Sequence, residues 1–138
     1  MNEKSKILIV DDESINILIL NELLSKDYIV ISSINSNLVI DMVNQKNPDL
    51  ILLDIKMPGI SGLDLCKELK ENENTKDIPI LFITSVDDEN IIEEAFNSGG
   101  VDYILKPINP EILFSKIKKH LSVKKMEKEL NTMKNELN

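Results

Sequence analysis

The hydrophobic residues of this 138-residue chain fall into short continuous runs, separated by stretches in which they recur at helical spacing. Apolar runs of four or five residues bounded by polar residues are typical of strands buried on both faces of a sheet. A further stretch, residues 28–33, is rich in the β-branched residues that strands favour. The pattern therefore predicts five strands, over residues 6–11, 28–33, 49–54, 77–84 and 101–105.

Amphipathic stretches between these runs predict five helices, over residues 14–26, 36–46, 63–72, 88–97 and from 110 onward. We expect Ser14 and Ser36 to cap the first two, and Asn109 before a first-turn proline to cap the fifth. The residues expected to face the core are Ile17, Leu20, Leu24, Val39, Val43, Leu65, Leu69, Ile92, Ala95 and Phe96, and in the fifth helix Ile112 or Leu113, then Ile117 and Leu121. Strands alternating with helices predict a doubly wound α/β fold around a parallel sheet.

The C-terminal tail has a different pattern. Its apolar residues follow 3-4-3-4 spacing, at Val123, Met126, Leu130, Met133 and Leu137. This spacing is typical of a coiled-coil seam that pairs two copies, and a solvated, frayed extension of the fifth helix is the alternative. We expect a domain over residues 1–121, followed at 122–138 by a helical extension or linker toward an output domain that this chain lacks.

Composition and charge exclude several functions. The net charge is −8, from 24 acidic against 16 basic residues, so the basic surface expected of a nucleic-acid-binding protein is not indicated. Cys66 is the one cysteine and has no partner for an internal disulfide, which fits a reducing compartment. No stretch approaches the ~18 apolar residues of a membrane span. We therefore expect a cytoplasmic protein without direct contact to nucleic acid or membrane.

Acidic residues stand at the ends of two predicted strands. Asp11 and Asp12 follow the first strand, and Asp54 ends the third. Ligands of parallel sheets bind beyond the carboxyl ends of the strands, so these three side chains are expected to meet there. Adjacent carboxylates repel one another, and a divalent cation such as Mg²⁺ offsets that repulsion. Helix capping is the structural alternative for the adjacent pair.

A hydroxyl and an amine complete this edge of the predicted sheet. Asp54 beside a cation is suited to nucleophilic attack on a phosphoryl group. Thr84 and Lys106, at the ends of the fourth and fifth strands, could each bind a phosphoryl oxygen. A cis peptide bond between Lys106 and Pro107 would aim the amine into the site, but only about 5% of X-Pro bonds are cis, so these residues alone do not predict one. A strand-end hydroxyl and a surface cation are the structural alternatives for these two residues.

The chain resembles the receiver domains of two-component response regulators. The resemblance rests on four motifs in the family's order and spacing, and it extends from residue 6 to about residue 121. The motifs lie at residues 10–13, 53–59, 83–85 and 102–107.

This resemblance implies a flavodoxin-like fold and a phosphoacceptor role for Asp54. The phosphoryl group would come from a sensor histidine kinase or a phosphotransfer protein. Asp12, Asp54 and the backbone carbonyl of Lys56 would bind Mg²⁺, with Asp11 holding a metal-bound water. Such a domain is not an enzyme acting on separate substrates, since it catalyses only its own phosphorylation and dephosphorylation.

The resemblance also implies a conformational switch. Thr84 and Lys106 would bind phosphoryl oxygens, and Tyr103 would turn inward as the Thr84 hydroxyl moves toward the phosphate. The peptide bond between Lys106 and Pro107 would be cis. The change would reach a partner or an attached output domain. The tail offers a second route, through a homodimer formed by residues 122–138.

Several positions depart from the family's commonest pattern. Ser85 and Gly100 stand where alanine is frequent, and we expect Gly100 to loosen the turn into the fifth strand. Lys56 and Val86 flank the predicted pocket, at positions that in this family tune the lifetime of the phosphoryl group.

Two other classes of function remain as alternatives. An aspartyl-phosphate phosphohydrolase of the haloacid dehalogenase type would need a second aspartate two residues after the nucleophile, where Lys56 stands. A dimerisation adaptor that no longer signals would have lost part of the acid, threonine and lysine set.

Overall fold

The computed structural model describes residues 3–85 and 89–137. Within them, five parallel strands form one sheet in the order β2-β1-β3-β4-β5. The strands are β1 (Lys6–Val10), β2 (Ile29–Ser33), β3 (Leu50–Asp54), β4 (Ile80–Thr84) and β5 (Asp102–Leu105). The helices are α1 (Ser14–Leu24), α2 (Val39–Lys46), α3 (Gly62–Glu71), α4 (Glu89–Asn97) and α5 (Pro110–Leu137). This confirms the predicted doubly wound α/β fold.

The apolar runs form strands because both faces of the sheet are covered. Every residue of β3 and β4 is buried. One hydrophobic cluster lies between the sheet and α2, α3 and α4, and includes Leu53, Leu65 and Phe82. The other lies between the sheet and α1 and α5, and includes Leu24 and Leu113. The central strands β1 and β3 are thereby fixed in a rigid core, and the side chains at their ends are held with them.

The helix starts differ in part from the predictions. Asn109 caps α5 as expected, since its Oδ1 accepts from the backbone N–H groups of Glu111 and Ile112. Ser14 is the first residue of α1 and not its cap. Ser36 begins a 3₁₀ turn, Ser36–Leu38, that precedes α2, and the side chain of Asn35 caps this turn. Asn35 and Ser36 are both good capping residues, so the sequence alone did not separate them.

Two predictions near β5 are wrong. Phe96 was expected to face the core with Ala95, but it is 47% exposed and packs against Tyr103 at the sheet edge. Gly100 does not loosen its turn, because it is buried and a Cβ there would lie 2.5 Å from Cε2 of Phe82. The glycine instead makes room for a large ring in the core.

The tail continues α5 without a break to Leu137. Leu113 and Ile117 anchor the first half of this helix in the core. The seam residues of the second half are exposed to solvent in the single chain. Among the described residues, no helix combines the length and the apolar character needed to cross a bilayer.

Candidate functional site

The register of the sheet brings the three predicted acids together. Val10 pairs with Leu53 across β1 and β3, so Asp11 emerges beside Asp54 at the same edge. One carboxylate oxygen from each of Asp11, Asp12 and Asp54 lies within 4.8 Å of the other two. Asp11 and Asp54 are buried, whereas Asp12 is exposed to solvent. Two of the three carboxylates are therefore held in the protein interior, and the third faces solvent.

The electrostatics of this cluster are unfavourable without a cation. The pKa of Asp54 is raised from its ordinary value of 3.8 to about 6. Burial is the largest cause, and the carboxylates of Asp11 and Asp12 raise it further, while Lys106 and the backbone N–H of Lys56 act in the opposite direction. The ionised form of Asp54 is therefore less stable here than in water, and a cation bound to the cluster would stabilise it.

The donor set fits a magnesium ion. Mg²⁺ binds oxygen ligands, and it prefers a few carboxylates supplemented by water and phosphate oxygens over a closed protein cage. Asp11, Asp12 and Asp54 offer such carboxylate oxygens, on an open rim. Asp11 also orients the entry to α1, since its Oδ1 accepts the backbone N–H of Glu13 at 2.9 Å. Asp11 does not cap α1, because the N-cap residue is Glu13, whose own side chain makes no capping hydrogen bond; the bond from Asp11 to Glu13 fixes the turn that leads into the helix.

Lys106 reaches into the cluster from the end of β5. Its Nζ lies 3.4 Å from Oδ2 of Asp11 and 3.7 Å from Oδ2 of Asp54. The peptide bond between Lys106 and Pro107 is cis, as the resemblance to receiver domains implies. The side chain is 23% exposed, so the ammonium group is partly shielded from water and is not a free surface cation.

Thr84 lies between the acids and the lysine. It ends β4 next to the strand that carries Asp54, and its side chain is buried. The backbone N–H of Lys106 donates to the Thr84 carbonyl at 2.8 Å, which fixes the two residues relative to each other. The structure thus brings together all five predicted side chains that were expected at this edge. Lys56, also expected to flank the pocket, is exposed to solvent, and Val86 lies outside the described residues.

The loop after β3 depends on two residues that the sequence analysis did not single out. Gly62 packs directly on the strand end, where a Cβ would lie 2.1 Å from the backbone oxygen of Asp54. Ser61 caps α3, its Oγ accepting the backbone N–H of Asp64 at 3.2 Å. A serine–glycine pair just before a helical pattern is the sequence signal that could have revealed both roles.

A second polar cluster joins β5 to α5 and consists of Asp102, Tyr103, Lys116 and His120. The ring of Tyr103 meets Phe96 edge to face, with centroids 6.3 Å apart, and Nζ of Lys116 lies 4.9 Å from its centroid. Lys116 also donates to the Tyr103 carbonyl at 2.6 Å and to Asp102 at 3.0 Å. His120 contacts the other oxygen of Asp102 at 3.0 Å. No local sequence pattern predicts this cluster, because its contacts join β5 to α5.

Comparison with known proteins identifies the family. The family model for the response regulator receiver domain matches residues 7–118. Sporulation initiation phosphotransferase F of Bacillus subtilis is 33% identical over 125 residues, which cover 90% of this chain and 98% of the relative. A two-component response regulator from Clostridium difficile has 34% identity and a TM-score of 0.80, covering 86% of this chain and 97% of that structure.

Other relatives are much longer than this chain. Response regulator PleD of Caulobacter vibrioides is 33% identical over 115 residues, which are 83% of this chain and 25% of that protein. The chain spans between about a quarter and a half of the first curated relatives it matches. The family match favours the receiver prediction over the phosphohydrolase alternative. The chain belongs to the response regulator receiver domain family, whose members are phosphorylation-activated regulatory domains of two-component systems.

Proposed function

We propose that Asp54 is the residue of this receiver domain that accepts the phosphoryl group, and that Mg²⁺ is required. The observation that carries the proposal is the convergence of Asp11, Asp12 and Asp54 within 4.8 Å, with Nζ of Lys106 at 3.7 Å from Asp54. Asp54 stands at the end of a fully buried strand. It is therefore held in position before any donor arrives.

The proposed reaction is a transfer between two side chains. A carboxylate oxygen of Asp54 attacks the phosphorus of a phosphohistidine on a kinase or phosphotransfer protein. A P–O bond forms, the P–N bond breaks, and the departing imidazole nitrogen keeps the electron pair. Such a transfer depends chiefly on alignment and on stabilisation of charge on the three equatorial oxygens.

The charges of the site support a role for the metal. Three carboxylates and one ammonium group sum to −2. Phosphorylation replaces the single negative charge of Asp54 by about −2, so the sum becomes about −3. Asp11, Asp12, Asp54 and the backbone carbonyl of Lys56 are the groups that would hold Mg²⁺. When bound, the ion supplies positive charge to the carboxylates and to the phosphoryl oxygens. Lys106 then exchanges its contact with Asp54 for one phosphoryl oxygen, and the Thr84 hydroxyl donates to another.

The donor is proposed to dock on the apolar surface beside this site. Ile15, Leu18 and Ile19 are about half exposed on α1, directly after the acid pair. Ile19 also lines a cavity of about 280 Å³ together with Asp11, Lys106 and Ile108. Solvent-exposed apolar side chains grouped at the rim of a polar site are typical of an interaction surface. A histidine-bearing partner seated there would reach Asp54 from the open side.

Phosphorylation is tested with the intact chain, using acetyl phosphate as donor and beryllofluoride as a phosphoryl analogue. We expect one modification per chain in the presence of Mg²⁺, detected by intact-mass spectrometry and located by peptide mapping. Asp54→Asn should abolish it. Asp41→Asn, an equivalent change on the exposed side of α2, is the matched control and should leave it unchanged. Modification of Asp54→Asn to the wild-type extent refutes the assignment.

We propose that Thr84 and Tyr103 form the switch that reports this event. The chain has no tryptophan and two tyrosines, so Tyr28→Phe leaves Tyr103 as the single tyrosine fluorophore. In that background, beryllofluoride should reduce quenching of the tyrosine by acrylamide, because the ring moves inward. Adding Thr84→Ala should remove the change in quenching while beryllofluoride still loads. An unchanged response in the Thr84→Ala protein contradicts the coupling.

The output of the domain is proposed to act through residues 122–138. Residues 122–137 continue α5 past the residues that the family model matches, so an attached domain would receive the signal through this helix. They also offer a surface for pairing two copies.

A further inference from the structure

We infer that residues 123–137 form a parallel, in-register coiled coil with a second copy of this chain. The pairing of the two helices does not depend on the proposed function. Only the role of the dimer in signalling rests on that function. The pairing is supported by the continuity of α5, the position of the seam around the helix, and the charges beside the seam.

The second half of α5 does not have to nucleate on its own. Isolated helices of this length are marginal in water because their first turn is costly to form. Here Leu113 and Ile117 fix the first half of the same helix in the core. Lys124 adds a further tie, since its Nζ donates to the carbonyl of Asp77. The tail is therefore a preformed helix that presents its surface to a partner.

The seam faces away from the domain. At about 100° of rotation per residue, Leu113, Ile117 and Lys124 lie along one line of the helix, which faces the domain. The seam residues cluster about 140° from that line. Their exposure agrees with this placement, with Met126 at 63%, Leu130 at 53% and Met133 at 58%. A second helix can approach the seam without displacing any part of the domain to which the first helix is anchored.

Every apolar residue of the segment belongs to the seam. Residues 123–137 contain five apolar side chains, and the ten other residues are polar or charged. A helix that packed on a broad surface would carry a wider apolar face, whereas a narrow stripe at a and d positions is the pattern of a coiled coil. The seam begins at Val123 because the preceding d position is Lys119.

The charges that flank the seam select the parallel arrangement. With Val123, Leu130 and Leu137 at a positions, Glu129 is at g and Lys134 is at the following e position. In a parallel, in-register pair, Glu129 of each copy faces Lys134 of the other, so two attractive pairs form. Two antiparallel registers match four seam layers. One brings Glu127 near Glu127 of the second copy and Glu129 near Glu129, and the other sets each Glu127–Lys134 attraction against a Glu129–Glu136 repulsion. Like charges in these positions are unfavourable, so the occupant of the seam is a parallel second copy.

Association is tested on the full chain by sedimentation equilibrium, with Asp54→Asn present so that phosphorylation does not contribute. We expect a reversible dimer. Leu130→Lys should raise the dissociation constant by about tenfold or more, because it places two charges in the seam. Asn135→Lys, at the outward f position, should change it little. A monomeric chain at every accessible concentration, a trimer, or equal effects of both substitutions would overturn the inference.

Orientation is tested by charge exchange and by crosslinking. Glu129→Lys and Lys134→Glu should each weaken self-association, and a mixture of the two variants should form a heterodimer tighter than either homodimer. Leu137→Cys should form a disulfide-linked dimer under mild oxidation, while Asn131→Cys, outside the seam, should not. Failure of the mixture to recover association, or equal crosslinking at both positions, refutes the parallel register. None of these readouts depends on whether Asp54 is phosphorylated.

Discussion

Replacing Gly100 by alanine is expected to destabilise the domain, because the added methyl group has no space. A Cβ at this position would lie 2.5 Å and 2.8 Å from two ring carbons of Phe82, and 3.0 Å from the carbonyl oxygen of Ala95. Phe82 is fully buried in β4 and cannot swing outward. Gly100 is not in the left-handed region, so the cost arises from packing alone and not from the backbone conformation.

The expected cost is about 1–3 kcal/mol, which is the usual range for overpacking a close-packed core. The test is a double-mutant cycle followed by urea unfolding. Phe82→Leu removes the ring atoms that clash and costs about 1–2 kcal/mol by itself, less than the ~3–5 kcal/mol of a Phe→Ala change. The double variant should be more stable than the sum of the single effects predicts, by about 1 kcal/mol or more.

Gly59→Ala provides the matched control. Its φ of +83° makes alanine unfavourable there, but its nearest neighbour to a Cβ is 3.5 Å away. The expected cost is about 1–2 kcal/mol and should be independent of Phe82→Leu. If Gly100→Ala costs less than about 0.5 kcal/mol, or if its effect simply adds to that of Phe82→Leu, the packing argument fails.

Three further predictions concern the helix cap, the second polar cluster and the metal. Ser61→Ala should lower the free energy of unfolding by about 1 kcal/mol in urea, since the cap of α3 is lost. Burial alone would raise the pKa of Asp102, but hydrogen bonds from His120 and Lys116 outweigh it and lower that pKa. Asp102 therefore contributes stability that is present above about pH 4, its unfolded value, and is lost as pH falls through the lower folded value. The difference in free energy of unfolding between wild type and Asp102→Asn, measured by urea titration, should therefore be constant near neutral pH and should disappear in acid. A difference that does not change with pH contradicts this. Removal of Mg²⁺ by a chelator should abolish modification by acetyl phosphate, and Asp12→Ala should raise the Mg²⁺ concentration needed for half-maximal modification; a wild-type requirement in that variant argues against Asp12 as a ligand.

The site was predictable from the sequence because a parallel sheet aligns the carboxyl ends of its strands. Once residues 7–10, 50–53 and 80–83 are identified as buried strands, the side chains that follow them have to meet at one edge. The prediction needed no knowledge of helix packing. This is why Asp11, Asp54 and Thr84 were located correctly, although they are far apart in the chain.

The features that were not predicted depend on packing between distant elements. Phe96 was assigned to the core from its spacing in α4, but β5 is the edge strand and leaves that part of the helix face uncovered. The need for Gly100 follows from the Phe82 ring, which is adjacent in space but lies on β4, before α4 in the chain. The contact of Asp102 with Lys116 and His120 joins a strand start to the middle of a helix. No local pattern in the sequence encodes such pairings.

The two oxygens of Asp11 face in different directions, one toward the Glu13 amide and one toward the Lys106 ammonium. A carboxamide at this position keeps an acceptor for the amide while it removes a negative charge, whereas a methyl group removes both. Asp11→Asn therefore separates the electrostatic contribution of this residue from its scaffolding contribution. Asp11→Ala combines them, so a loss of phosphorylation in that variant would say nothing about metal binding until the integrity of the first helical turn had been verified.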